Sequence, residues 1–277
     1  MTDPKSFTCA RHGEYSSVGD QGRARVVNCP PCVAENTAAE NAWRRAWQIR
    51  SAWERSGLPH RFRDRTIENW KPVGKGQLGI RAAILAYVAN LADAYESGRG
   101  LLLLGPVGVG KTHLAAGVLN LAIAAGFSGQ FVRVGDLFAT MKRSFAKGQP
   151  DFDDLPLRQA NFVVLDDLGA SRGSEWETAV LHDLLAHRYD ERLPTIVTTN
   201  VPEFDRFVGD RVADRFDENS LRLTIAGTSH RKAVGIADEG SSEAIPEPPR
   251  TLSLTTCEWG RMLPQKLEYE TGRKRLA

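Results

Sequence analysis

Eight consecutive residues, Gly105-Pro106-Val107-Gly108-Val109-Gly110-Lys111-Thr112, fit the pattern G-x-x-x-x-G-K-[ST] throughout. Glycines at that spacing let a backbone wrap closely and aim its N–H groups at phosphate oxygens. A helix starting where the pattern ends adds its positive end. Lys111 is placed to reach the β/γ-phosphates of ATP, the Thr112 hydroxyl to ligate Mg²⁺, and His113 to continue the cradle.

Two acids follow, in Phe162-Val-Val-Leu-Asp166-Asp167. Carboxylates at the end of an apolar strand are costly unless they meet a cation or leave the core. Asp166 is the natural Mg²⁺ partner, and Asp167 is placed to orient the attacking water as a general base. Asn200 ends a third apolar run, Ile196-Val-Thr-Thr-Asn200. It can hydrogen-bond a γ-phosphate or the attacking water, or it can be an ordinary strand-ending turn residue. Arg215 and Arg231 lie further on. Their guanidinium groups suit the charge that builds on a transferring phosphoryl group, and equally suit surface ion pairs.

A different chemistry opens the chain. Cys9-Ala-Arg-His12 and Cys29-Pro-Pro-Cys32 form C-x₂-H and C-x₂-C, sixteen residues apart. That set suits tetrahedral Zn²⁺ in a closed, structural site. Cys9, Cys29 and Cys32 with a water in place of His12 is the alternative. The segment is too poor in apolar residues to fold unaided, so the metal would supply its folding energy.

These groups need a frame. Short apolar runs at Leu101–Leu104, Gln130–Val134, Phe162–Leu165 and Thr195–Thr199 alternate with helical patterns at Ile80–Tyr95, Lys111–Ala125, about Asp136–Ala146 (N-capped by Asp136) and Glu175–Arg192. Such alternation is the signature of an α/β fold with a parallel sheet covered on both faces. The composition shifts suggest a zinc-binding module at 1–36, a basic helical segment at 37–66 whose helix Pro59 ends, a catalytic domain at 67–236, and a flexible tail at 237–277. Lys+Arg 36 against Asp+Glu 34 and 42% hydrophobic residues exclude a bulk polycation and a wholly disordered chain. No run reaches the roughly 18 apolar residues of a membrane span. The start of the chain lacks the apolar core of a secretory signal, so the expected compartment is the cytoplasm.

The phosphate loop, the Asp-Asp strand end, Asn200 and the two arginines together resemble an AAA+ ATPase. Gly57-Leu-Pro-His-Arg-Phe62, Thr66-Ile-Glu-Asn-Trp70 and Leu165-Asp-Asp-Leu-Gly169 are similar to the DnaC/DnaI-type helicase loaders and the related IstB transposition ATPases. The resemblance covers roughly residues 57–236. It implies that Asn200 is the first sensor, that Arg215 acts in trans on a neighbouring subunit's ATP, and that Arg231 acts in cis. Position 167 is Asp where many AAA+ ATPases carry Glu, which implies slow turnover.

The resemblance also implies single-stranded DNA contacts. Lys142, Arg143, Phe145 and Lys147 lie on an expected extra helix, and Ser174 and Trp176 lie in a turn after the acid pair. Cations beside an aromatic suit backbone neutralisation with base stacking, although the aromatic also fits the helix's core stripe. Between Arg44 and Arg65, seven arginines stand against Glu54 and Asp64, punctuated by Trp47 and Trp53, with Trp43 just before. That segment fits a docking helix for the hexameric replicative helicase, a nucleic-acid face, or a merely solvated one. The expected function is loading that helicase onto single-stranded DNA; the alternative is an IstB-like transposition helper acting with a transposase on duplex DNA.

Overall fold

The computed structural model describes residues 5–17, 29–146, 153–169, 174–202 and 204–227. Lys147, Arg231 and the tail 237–277 lie outside the described residues. The chain divides between Ala46 and Trp47 into two compact units. Among the described residues, no helix is long and apolar enough to cross a membrane.

The first unit holds an antiparallel hairpin, β1 (Lys5–Cys9) and β2 (Gly13–Ser17), whose register pairs Cys9 with Gly13. Phe7 and Tyr15 stack on it at 5.7 Å. Helix α1 (Pro30–Arg55) begins here and runs into the second unit. It starts on Pro30-Pro31, at positions where a missing N–H costs nothing.

The second unit is built on a parallel sheet. Its strands are β3 (Gly100–Leu104), β4 (Gly129–Arg133), β5 (Phe162–Leu168), β6 (Thr195–Thr199) and β7 (Ser220–Thr224), ordered β4-β5-β6-β3-β7. Alternate residues of β3, β4, β5 and β6 feed opposite cores. Leu101, Leu103, Val164 and Ile196 pack with the end of α1, with α2 (Gly74–Ala89), α3 (Leu91–Ser97) and α4 (Lys111–Ala124). Leu102, Leu104, Val163, Leu165 and Val197 pack with α5 (Val134–Ala146), α6 (Leu155–Gln159), α7 (Glu175–Asp190), α8 (Asp205–Val208) and α9 (Asp210–Glu218). Continuous burial of β3 and β6 explains their unbroken apolar text.

Several details depart from the sequence reading. The basic helix runs Pro30–Arg55, so it starts before residue 37 and stops ahead of Pro59. The helix expected over Ile80–Tyr95 is two helices, broken at Asn90, where ψ reaches 41°. Asp136 is not an N-cap: α5 starts directly at Val134, which puts Asp136 inside the first turn. A fifth strand, β7, escaped notice because Ser-Leu-Arg-Leu-Thr is a half-exposed edge, with Arg222 turned to Asp217.

At the amino edge of the sheet Arg188 is fully buried. Its guanidinium donates to the carbonyls of Leu157, Ala160, Asn161 and Pro194 and to the Thr195 hydroxyl. Burial pulls its pKa down to about 9, still well above neutrality, so the cation persists. Arg188→Met would leave several buried carbonyls without their donor, each worth about 1–3 kcal/mol. The expected loss is about 3 kcal/mol or more, seen as a fall of roughly 6–12 °C in Tm. A Tm unchanged within a degree would show that the carbonyls find other donors.

Candidate functional site

Parallel strands bring their carboxyl ends to one edge, and the register there is tight. Thr199 pairs with Leu104 on one side and with Leu168 on the other. The phosphate loop leaving β3, the acids at the end of β5 and Asn200 just past β6 therefore meet at one edge, with β6 between the other two.

The loop's shape depends on its glycines. Gly105 has φ +145, and a Cβ there would stand 2.3 Å from the Ile225 carbonyl oxygen. Gly110, at φ +96, precedes α4, and a Cβ there would stand 2.3 Å from Trp70 Nε1. That indole donates to the Val109 carbonyl at 3.2 Å. Gly110→Ala combines backbone strain with a collision against a buried ring. We expect affinity for a fluorescent ATP analogue to drop by at least about tenfold; wild-type affinity would show that Trp70 yields at no cost.

Lys111 is buried, and its ammonium donates to the carbonyls of Gly105 (2.7 Å) and Pro106 (2.8 Å), which keeps the charge inside the loop's curve. Thr112, in the first turn of α4, lies close enough to Asp166 for its hydroxyl to help hold that carboxyl's pKa down. The two expected Mg²⁺ ligands are thus neighbours. His113 turns its Nε2 to the Thr66 carbonyl (2.9 Å) and Asn69 (2.6 Å), and so helps hold the Thr66–Trp70 segment against α4. Asn120, further along α4, donates to the carbonyls of Phe62, Arg63 and Arg65.

Asp166 is 3% exposed. Burial raises its pKa above the usual carboxylate value. Hydrogen bonds from Thr198 and Thr112 pull it back, the neighbouring Asp167 adds to the rise, and Arg133 opposes it. Arg133 Nε lies 3.9 Å from its carboxylate. Asp167 is exposed and has φ +59, inside an irregularity of the β5–β6 register between Leu165 and Leu168. Thr198 and Arg133 escaped the sequence reading: each is an ordinary strand residue until the register sets it beside Asp166. Asn200 is exposed at the same edge.

Arg215 sits elsewhere. It lies in the last turn of α9, and its carbonyl accepts from the N–H of Asn219, immediately before β7. Ser220 pairs with Gly100 at the amino edge, so the end of α9 leads into β7 at the edge opposite the one where the loop leaves β3. Its guanidinium faces Asp190 at 3.6 Å and the Tyr189 ring at 5.1 Å, at the end of α7.

Of the residues singled out for DNA, Lys142, Phe145 and Trp176 meet on one surface. Trp176 packs edge-on to Phe145 at 6.2 Å, and Lys142 lies 5.3 Å above its ring. Phe145 is exposed. Lys142 also pairs with Glu177 at 2.8 Å. Ser174 and Glu177 form a reciprocal capping box, a structural duty for Ser174. Arg143 is exposed on α5, bonded to Ala139 and Thr140 of its own helix.

In the first unit, Cys9, His12, Cys29 and Cys32 offer ligand atoms that all lie within 4.8 Å of one another. The hairpin turn supplies Cys9 and His12, and the start of α1 supplies the other two. Cys9 and Cys32 sulfurs are 3.6 Å apart, and His12 Nδ1 stands 3.7, 3.6 and 3.3 Å from the sulfurs of Cys9, Cys29 and Cys32. A tetrahedral ion with thiolate and imidazole ligands needs edges of about 3.5–3.8 Å, so the set fits. Backbone N–H groups of the turn, Arg11's foremost, lower the Cys9 thiol to about 6. His12 Nε2 meets Glu35 at 3.0 Å, the outer carboxylate that orients a ligating imidazole. The sequence reading passed over Glu35, one helical turn beyond Cys32.

Along α1, Trp43 and Trp47 are exposed, whereas Trp53 packs partly against the core of the second unit.

Known proteins are similar to this chain. The family model described as "IstB-like ATP binding protein" matches residues 32–234. The replicative helicase loader DnaC of Escherichia coli K12 is 26% identical over 206 residues, 73% of this chain and 83% of that one. A putative ATP-binding protein of insertion sequence IS5376 from Geobacillus stearothermophilus is 28% identical over 224 residues, 78% and 86% of the two chains. The crystal structure of the DnaC helicase loader superposes with a TM-score of 0.55 at 27% identity, covering 61% of this chain and all of that one.

Proposed function

The chain belongs to the IstB-like ATP binding protein family, and on that premise we propose that this AAA+ ATPase loads a hexameric replicative helicase onto single-stranded DNA in the cytoplasm. The observation that carries the reading is the meeting at one sheet edge of the phosphate loop, the buried Asp166 and Asn200. Lys111 neutralises the β/γ-phosphates of ATP, and Thr112 and Asp166 would hold Mg²⁺. Asp167 orients the attacking water and takes its proton, while Asn200 bonds the γ-phosphate or that water. The bound Mg²⁺ supplies charge neutralisation at the phosphates. Arg215 acts on a neighbouring subunit's ATP, and Arg231 on this one's. Slow hydrolysis makes ATP a conformational signal more than a fuel.

DNA runs over Phe145, Trp176 and the cations Lys142, Arg143 and Lys147, with Ser174 beside it. The Cys9–His12–Cys29–Cys32 set holds structural Zn²⁺ and folds the 1–36 module. The 37–66 segment presents that module to its partner, the ATPase domain spans 67–236, and 237–277 is a tail.

The relative from insertion sequence IS5376 favours a second reading, a transposition helper acting on duplex DNA. The dedicated metal module favours the loader, since it offers a protein-docking element. Two measurements on the full chain decide. Loading predicts ATP hydrolysis stimulated by single-stranded DNA and capture of the host's replicative helicase. Stimulation by duplex DNA alone, with a transposase captured instead, would replace it by the second reading.

A further inference from the structure

Between the acids and Asn200 lies a residue that the ATPase reading does not use. Thr198 is 1% exposed, on β6, two residues before Asn200. Its hydroxyl donates to Asp166 Oδ1 at 2.7 Å and accepts from the backbone N–H of Asp167 at 2.9 Å. One oxygen therefore fixes the carboxylate of the first acid and the main chain of the second.

The Asp167 contact is unusual for a parallel pair. Regular β5–β6 pairing stops at Leu165↔Val197 and resumes at Leu168↔Thr199, so two residues of β5, Asp166 and Asp167, lie opposite one residue of β6. With the register interrupted, the Thr198 side chain takes the N–H of Asp167 in place of a ladder carbonyl. Asp167 is held there at φ +59, a backbone conformation that is costly for a side-chain-bearing residue and persists only where its surroundings impose it. The result is two successive acids with opposite fates: Asp166 is buried against Thr112 and Thr198, and Asp167 is turned outward at the loop's edge. In regular strand geometry, successive side chains would point to opposite faces of the sheet, and Asp167 would enter one of the two cores instead.

We propose that Thr198 is a positioning residue for ATP hydrolysis, its single hydroxyl holding Asp166 toward the metal and Asp167 toward the attacking water. The proposal rests on the reading of Asp166 and Asp167 as the ATPase acids. Thr199 offers a contrast on the same strand: its hydroxyl donates to the Leu168 carbonyl at 2.7 Å and touches neither acid.

The test is steady-state ATP hydrolysis by the full chain, with binding of a fluorescent ATP analogue measured alongside. Thr198→Val keeps the shape and removes the hydroxyl; Thr198→Ser keeps the hydroxyl. A misplacement of about 1 Å at a catalytic group costs on the order of 100-fold. Thr198→Val is expected to lose about 10- to 100-fold in kcat, with KM and analogue affinity within about threefold of wild type. Thr198→Ser should recover most of that loss. Wild-type kcat in Thr198→Val would overturn the proposal, and so would a Thr198→Ser as slow as Thr198→Val, because then shape and not the hydroxyl matters. If Thr198→Val proves unfolded by circular dichroism, the Ser variant is compared with Thr198→Ala, and equal rates in those two overturn it as well. Asp167→Asn, assayed in parallel, separates the two levels. Full activity there removes the acid assignment itself, whereas loss there with an unaffected Thr198→Val removes only the role of Thr198.

Discussion

Arg215→Ala is expected to bind ATP as the wild type does and to lose hydrolysis by about 10³–10⁵-fold, the range measured for arginine fingers of GTPases. The placement of the residue is the reason. The phosphate loop leaves the carboxyl edge of the sheet, whereas Arg215 stands a turn before β7, which starts at the amino edge, so we expect it to serve a neighbour's γ-phosphate. Its side chain is 34% exposed, tethered to Asp190 and Tyr189 by contacts worth less than about 1 kcal/mol each. Truncation should therefore leave folding intact, and a head-to-tail neighbour can take the guanidinium from its tether. Mixing Arg215→Ala with Lys111→Ala should restore part of the activity, because some interfaces then pair an intact loop with an intact arginine. Weaker ATP binding by Arg215→Ala in a dilute, monomeric sample would place the residue in cis and end this assignment.

Metal removal is expected to have the largest effect on folding. Binding of Zn²⁺ by such sites contributes about 10–16 kcal/mol near neutral pH, and the described residues of the hairpin unit bury little else. Its buried cluster consists of Cys9, Cys29 and Cys32, with Tyr15 against it. Chelation of the full chain should release one Zn²⁺ and expose the amides of β1 and β2 to rapid hydrogen exchange. The parallel sheet, with its two separate cores, should keep its protection. Glu35→Gln should weaken metal affinity by about 10–100-fold while leaving the four ligands in place. Purified protein with far less than one Zn²⁺ per chain, and a Cys29→Ser variant with unaltered exchange in β1 and β2, would remove the metal from the account.

Much of this was legible in the sequence wherever a motif carries its own geometry. The phosphate loop needs glycines at fixed positions, and β3 and β6 are buried on both faces, so their text is plainly apolar. The paired cysteines announced the metal set, and local spacing alone brought His12 near Cys9. What could not be read depends on register between strands distant in sequence. Thr198 and Arg133 join the site only because β6 and β4 flank β5. Trp70 reaches the loop because Asn120 and His113 tie residues 62–69 to α4. Edge strand β7 was invisible for the opposite reason: exposure on one side dilutes the apolar signal that marked the others.

The left-handed backbone at position 167 bears on which acid the chain can use there. Asp and Asn enter that region several-fold more often than other side chains, because a short polar group can bond to the local main chain. Glu has no such allowance. The Asp that stands where many AAA+ ATPases carry Glu is thus matched to its peptide geometry. Exchanging the side chain alone would ask a longer acid to accept a backbone built for a shorter one.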